Sequence, residues 1–104
     1  MDVLVTYDIR TPDPEGQRRL NKIAAICERY GERLQYSVFG CRLSDVKLIR
    51  LVAELEDAMD HTVDSIDIYR FNGSITESRT TLGHRRAREP GTPWIVNPRT
   101  PSDP

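Results

Sequence analysis

The sequence has little from which a redox, metal-thiolate or membrane protein could be made. Its 104 residues include two cysteines, Cys27 and Cys41, too far apart for a metal-binding knuckle or a redox pair. Two thiols also make no extracellular disulfide framework, so both are expected to be reduced and in or near the core. No stretch approaches the roughly 20 apolar residues that a membrane-crossing helix requires. The start Met1-Asp2-Val3 lacks the cationic segment of a signal peptide, so the expectation is a cytoplasmic protein without membrane contact. An excess of one charge is missing too: the net charge is -1, and nothing in that total calls for nucleic acid. Charged residues nevertheless make up 30% of the chain and can segregate by face.

With 38% hydrophobic residues, the chain can support one small core, burying roughly 60 to 70% of the surface its unfolded form exposes. The run Val3-Leu4-Val5-Thr6-Tyr7 reads as a buried strand, which makes Asp8 a carboxylate at a strand end, where a metal ion or a phosphate can be met. The plainer alternative is an aspartate capping a turn with Thr11.

Asp13-Pro14-Glu15 then carries a helix-start signal: a side-chain acceptor, a proline suited to the first turn, and a negative charge for the dipole. Leu20, Ile23, Ala24, Cys27 and Tyr30 fall on one stripe and Gly31 follows, so a helix is predicted from Pro14 to Tyr30. Arg18, Arg19, Lys22 and Arg29 lie off the stripe, as a solvated face or as phosphate contacts beside the carboxylate.

From Arg33 to Leu43, Leu34, Tyr36 and Val38 alternate with Gln35, Ser37 and Phe39, and Gly40 marks a turn or sharp bend, predicting a short hairpin or one long bent strand. Ser44 caps a second helix whose stripe is Leu48, Leu51, Val52, Leu55 and Met59. Glu54, Glu56, Asp57 and Asp60 oppose its dipole, so that end is expected to fray or to pair with cations. Ser65 to Phe71 alternates Ile66 and Ile68 with Asp67 and Tyr69 and reads as a strand. Asn72-Gly73 is a turn signal, and Thr76 to Leu82 is expected to add a short strand.

Residues 1–83 therefore read as one domain, and 84–104 as a basic linker and Pro-rich tail. His84-Arg85-Arg86-Ala87-Arg88 is cationic, and five of the seven prolines fall in the last fifteen residues. Trp94-Ile95-Val96 is expected to be a docking strand on this flexible arm. The order strand, helix, strand, strand, helix, strand predicts an α+β, ferredoxin-like fold, an antiparallel sheet with both helices on one face. Along the first strand Val3, Val5 and Tyr7 point one way and Leu4, Thr6 and Asp8 the other. A second copy packed on the uncovered face is the simplest account of its mixed residues, and it brings two Asp8 carboxylates to a shared axis.

In this order, Tyr7-Asp8-Ile9, Arg18-Arg19-Leu20, Gln35 through Phe39, Asp64-Ser65-Ile66 with Ile68-Tyr69-Arg70, and Trp94 to Val96 resemble the CRISPR-associated protein 2 family. The resemblance implies a homodimer whose C-terminal strand crosses to the partner's sheet, assembled with an integrase subunit for spacer acquisition. It also implies a magnesium-dependent endonuclease acting on single-stranded RNA or double-stranded DNA, with Asp8 as catalytic residue and metal ligand. Gly40 departs from the family pattern, in which Ser-Val-Phe is followed by Glu. Arg18, Arg19, Arg85, Arg86 and Arg88 become candidates for the nucleic-acid backbone, and Trp94, Ile95 and Val96 for dimer or partner docking.

The alternative is a non-catalytic scaffold bridging integrase dimers. An RNA-recognition module of the same topology is disfavoured, because the strands lack its glycine and aromatic pattern. Tyr7 and Phe39 are read as core before base-stacking groups. His61 and His84 have no partner at ligand spacing and receive no role.

Overall fold

The apolar run at the start forms β1 (Asp2–Asp8), and its two backbone edges organise everything else. In the computed structural model, which describes residues 1–83, it is followed by α1 (Pro14–Tyr30), β2 (Gly31–Gln35), β3 (Val38–Arg42), α2 (Asp45–Ala58), β4 (Ser65–Phe71) and a single turn α3 (Ile75–Ser78). The strands form one antiparallel sheet in the order β2-β3-β1-β4. This is the expected ferredoxin-like arrangement. The basic cluster at Arg85, Arg86 and Arg88 and the docking strand at Trp94, Ile95 and Val96 lie outside the described residues.

Local chemistry starts both long helices where the sequence places them. The Asp13 carboxylate accepts from the Gly16 N–H at 2.9 Å, and Ser44 Oγ accepts from the Lys47 N–H at 3.2 Å. Register then sorts the faces. Val3 lies opposite Cys41 and Val5 opposite both Phe39 and Ile68. These side chains meet Ile23, Ile26 and Cys27 of α1 and Leu48, Leu51 and Leu55 of α2 in the main core. Tyr7 and Phe39 stack there with ring centroids 6.1 Å apart, so both are packing residues. Cys27 and Cys41 are free and buried, as expected, and burial pushes each thiol up to about 12, which keeps them inert at neutral pH. At the acidic end of α2, Glu54 pairs with Arg29 and Tyr30 of α1, which answers the unfavourable dipole by pairing.

Three local expectations are corrected. The segment from Arg33 onward is a hairpin, but its turn is Tyr36-Ser37, and Gly40 lies inside β3, opposite Leu4 and Glu32. A bulge between Arg33 and Gln35 breaks the alternation, so Leu34, Tyr36 and Val38 do not form one continuous apolar row. The strand expected from Thr76 to Leu82 is absent; the chain makes the turn α3 instead. Ser74 Oγ accepts from the Glu77 N–H at 3.2 Å, and the Ile75 N–H donates to the buried Asp2 carboxylate at 2.9 Å. A cap plus a carboxylate 73 positions away outweighs the strand propensity of this segment.

Because of that anchor, Ile75 packs with Leu4, Leu34, Val38 and Phe71 on the sheet face opposite α1 and α2. A groove of about 480 Å³ remains between the sheet and residues 75–80.

Gly31 is needed for space: a Cβ there would lie 2.2 Å from Gly40 O and 2.5 Å from Cys41 Sγ, whereas at Gly73 it would meet nothing within 4 Å. Gly31→Ala is expected to destabilise the fold by about 1–3 kcal/mol, and Gly73→Ala to stay within about 0.5 kcal/mol of wild type. Urea unfolding midpoints of the two variants check this.

Candidate functional site

Asp8 ends β1 on the face turned away from α1 and α2, and its side chain is exposed. Across the ladder it pairs with Ser65, and the preceding same-face pair is Thr6 with Asp67. One sheet corner thus presents a carboxylate and a hydroxyl, with a second carboxylate one pair further along the face. These are hard oxygen donors, the type that suits magnesium. Among the described residues, no group of three or more His, Cys, Asp or Glu could hold a metal ion. A site built on one chain therefore relies on one or two carboxylates, with water filling the remaining positions, a coordination that magnesium commonly keeps.

The position of this corner is set by a residue that sequence reasoning did not single out as functional. The Asp64 side chain is fully buried. Its Oδ2 accepts from Arg19 Nε at 2.8 Å and from the Asp60 N–H at 2.9 Å; its Oδ1 accepts from the Arg10 N–H at 3.0 Å and from Arg19 Nη2 at 3.3 Å. Arg19 Nη2 also donates to Arg10 O at 3.3 Å. One carboxylate therefore ties the β1–α1 loop, the first turns of α1 and the α2–β4 loop together, immediately before Ser65, the ladder partner of Asp8. The one available signal was the Asp64-Ser65-Ile66 motif.

Electrostatics follow from the same contacts. Burial pushes the Asp64 carboxyl up, but the Arg19 guanidinium and the two backbone N–H groups overcome it, so the group titrates below its ordinary value. Asp60 is also held low, by the hydroxyl and N–H of Thr62 at 2.6 and 3.0 Å.

The candidate cations of α1 separate. Arg19 is committed to Asp64 with a side chain 21% exposed, while Arg18 is exposed on the helix surface. Arg85, Arg86, Arg88, Trp94, Ile95 and Val96 belong to the residues outside the description. His61 Nε2 lies 2.8 Å from the Glu56 carbonyl oxygen, just beyond the end of α2.

An antiparallel four-stranded sheet backed by two helices, with an exposed strand-end carboxylate on its other face, defines a ferredoxin-like α+β domain with an open sheet surface. The family described as CRISPR associated protein Cas2 matches residues 1–78, and the chain belongs to that family. It is 43% identical over 90 residues to the CRISPR-associated endoribonuclease Cas2 of Chlorobaculum tepidum, covering 86% of this chain and 91% of that one. It is 42% identical over 95 residues to the CRISPR-associated endonuclease Cas2 of Halalkalibacterium halodurans, covering 91% and 99%. The crystal structure of Streptococcus pyogenes Cas2 at pH 6.5 matches with a TM-score of 0.73 and 37% identity, over 80% of this chain and all of that one.

A carboxyl whose folded-state pKa is depressed stabilises the fold above its ordinary value and loses that contribution as pH falls through the folded value. Asp64→Asn is therefore expected to cost about 1–3 kcal/mol at pH 7, because buried donors lose their acceptor, and to flatten the acid side of the stability curve below about pH 4. Denaturant unfolding at a series of pH values measures both effects; parallel curves for variant and wild type would contradict this role of Asp64.

Proposed function

We propose that the protein is a spacer-acquisition subunit that dimerises through the sheet face bearing Asp8 and hydrolyses RNA or DNA phosphodiesters with magnesium held at that carboxylate. The observation that carries this reading is the placement of Asp8: exposed, at a strand end, on the uncovered face, with its ladder partner Ser65 fixed by the Asp64 contacts. The names of the relatives, endoribonuclease and endonuclease, support the reaction class. Bound there, magnesium would supply an acidified water and neutralise charge on the phosphoryl oxygens.

The chain's own groups do the rest. Asp8 holds the cation, with its strand end kept in place through the Asp8–Ser65 pair, and Arg18 draws the nucleic-acid backbone to the first turns of α1. The face itself suits a second copy. Leu4, Val38, Phe71 and Ile75 line its groove, and Tyr69, 51% exposed, lies on the same side by register with Leu4. On this reading two Asp8 side chains share the dimer axis, the integrase subunit is the protein partner, and the complex works in the cytoplasm.

The second reading is a non-catalytic scaffold that bridges integrase dimers. It is favoured by Gly40, which lies opposite Leu4 on the open face where the family pattern has a carboxylate.

Asp8→Asn separates the two. Under the nuclease reading it lowers magnesium-dependent cleavage by about 100-fold or more, chelation does the same to wild type, and nucleic-acid binding is kept. Equal cleavage by variant and wild type would remove the nuclease reading and leave the scaffold. Independently, Arg18→Ala is expected to reduce the slope of log affinity against log salt for duplex DNA by about 0.9, the loss of one phosphate contact. An unchanged slope from a salt titration would take Arg18 out of the interface.

A further inference from the structure

The β2–β3 turn lies at the same end of the sheet as Asp8. Thr6 pairs with Val38, and the Tyr7 N–H donates to Ser37 O at 3.1 Å, so the Tyr36-Ser37 turn sits just past the last β1–β3 pair. Tyr36 is 78% exposed, whereas Tyr7 and Phe39, the aromatics on either side of it in this corner, are 7% and 0% exposed. The turn does not call for tyrosine. Neither Tyr36 nor Ser37 has a positive φ, and the core is already closed by the Tyr7–Phe39 stack.

The ring does have one specific neighbour. The Arg33 Cζ lies 6.0 Å from the Tyr36 centroid and 5.0 Å from the Phe39 centroid, so one guanidinium is held against both an exposed and a buried ring. Arg33 Nε is buried without a hydrogen-bond partner, and the nearest carboxylate oxygen, on Glu28, is 3.8 Å from Arg33 Nη2. The aromatic contacts, more than the ion pair, therefore fix this cation. The turn thus presents an exposed π surface with a positive charge behind it.

A planar, uncharged π surface joined to an anion matches that set, and a nucleotide whose base is not stacked in a duplex has this form. We propose that Tyr36 is a stacking platform for one unpaired base of a single-stranded nucleic acid, with Arg33 orienting the ring and adding positive charge toward the adjoining phosphate. Bases inside a duplex have no free face to offer, so the platform selects single strands. The proposal rests on the reading that this chain takes nucleic acid, and deepens it by naming the residue that reads strandedness.

Binding is measured without metal, so cleavage does not enter. Labelled strands of about 12 nucleotides, single-stranded RNA, single-stranded DNA and the DNA duplex, are titrated in chelator and followed by fluorescence anisotropy. Tyr36→Ala is expected to weaken binding of both single strands by about 5- to 100-fold and to leave the duplex unchanged, while Tyr36→Phe stays within about 2-fold of wild type. Because the side chain is already 78% exposed, its loss does not open the core. Unchanged single-strand affinity in Tyr36→Ala, or an equal loss on the duplex, overturns the platform. A loss confined to RNA overturns base stacking in favour of a sugar contact. Failure of the wild-type protein to bind any strand overturns the nucleic-acid reading as well, which separates the two failures.

Discussion

A single buried carboxylate, that of Asp64, holds together the segments that frame the Asp8 end of the sheet. It accepts from Arg19, from the Arg10 N–H and from the Asp60 N–H, and so joins α1 to two loops at once. Burying such a group is costly unless its lone pairs are occupied by good donors, and here they are. The consequence is positional. Ser65 follows directly in the chain and pairs with Asp8, so the strand end that carries the exposed carboxylate cannot drift from the rest of the sheet.

The two faces of the sheet then take different tasks. Toward α1 and α2, the Val3 and Val5 rows with Phe39 and the two inert thiols make the main apolar core. On the other side the chain supplies some of its own cover, since α3 is fastened to Asp2 and packs Ile75 over Leu4 and Phe71. Asp2 repeats the Asp64 device on a smaller scale: buried, it accepts from Arg42 Nε at 3.0 Å as well as from the Ile75 N–H, and it titrates below its ordinary value. Any partner on this face meets a surface that the chain has already shaped, with Asp8 at one corner and Ile75 over the middle.

Much of this was legible in the residues, for a physical reason. The caps at Asp13 and Ser44, the stripes of α1 and α2, and the alternation of β1 and β4 are local patterns, decided within a few positions, and all appear where the periodicity put them. What escaped depends on distance along the chain or on a single irregular residue. The bulge after Arg33 shifts the register of β2, so a simple alternation assigned Tyr36 to an apolar row when it is a turn residue open to solvent. The turn α3 is four residues long and exists because Asp2 captures its first N–H, which no local propensity can reveal. Arg19 looked like a surface cation for phosphate, and its partner Asp64 lies 45 positions away. The exposed, strand-end placement of Asp8 was legible too, because it ends an apolar run and shares the parity of Leu4 and Thr6.

Native-state amide hydrogen exchange of the wild-type protein tests the Asp64 account most directly. Arg10 and Asp60 donate from loop segments, where amides ordinarily exchange quickly, and their only protection in this account is the Asp64 carboxylate. The account predicts that both exchange within about tenfold of the rate at Val5 in the centre of β1. Exchange at either position as fast as at Gly73 would contradict it.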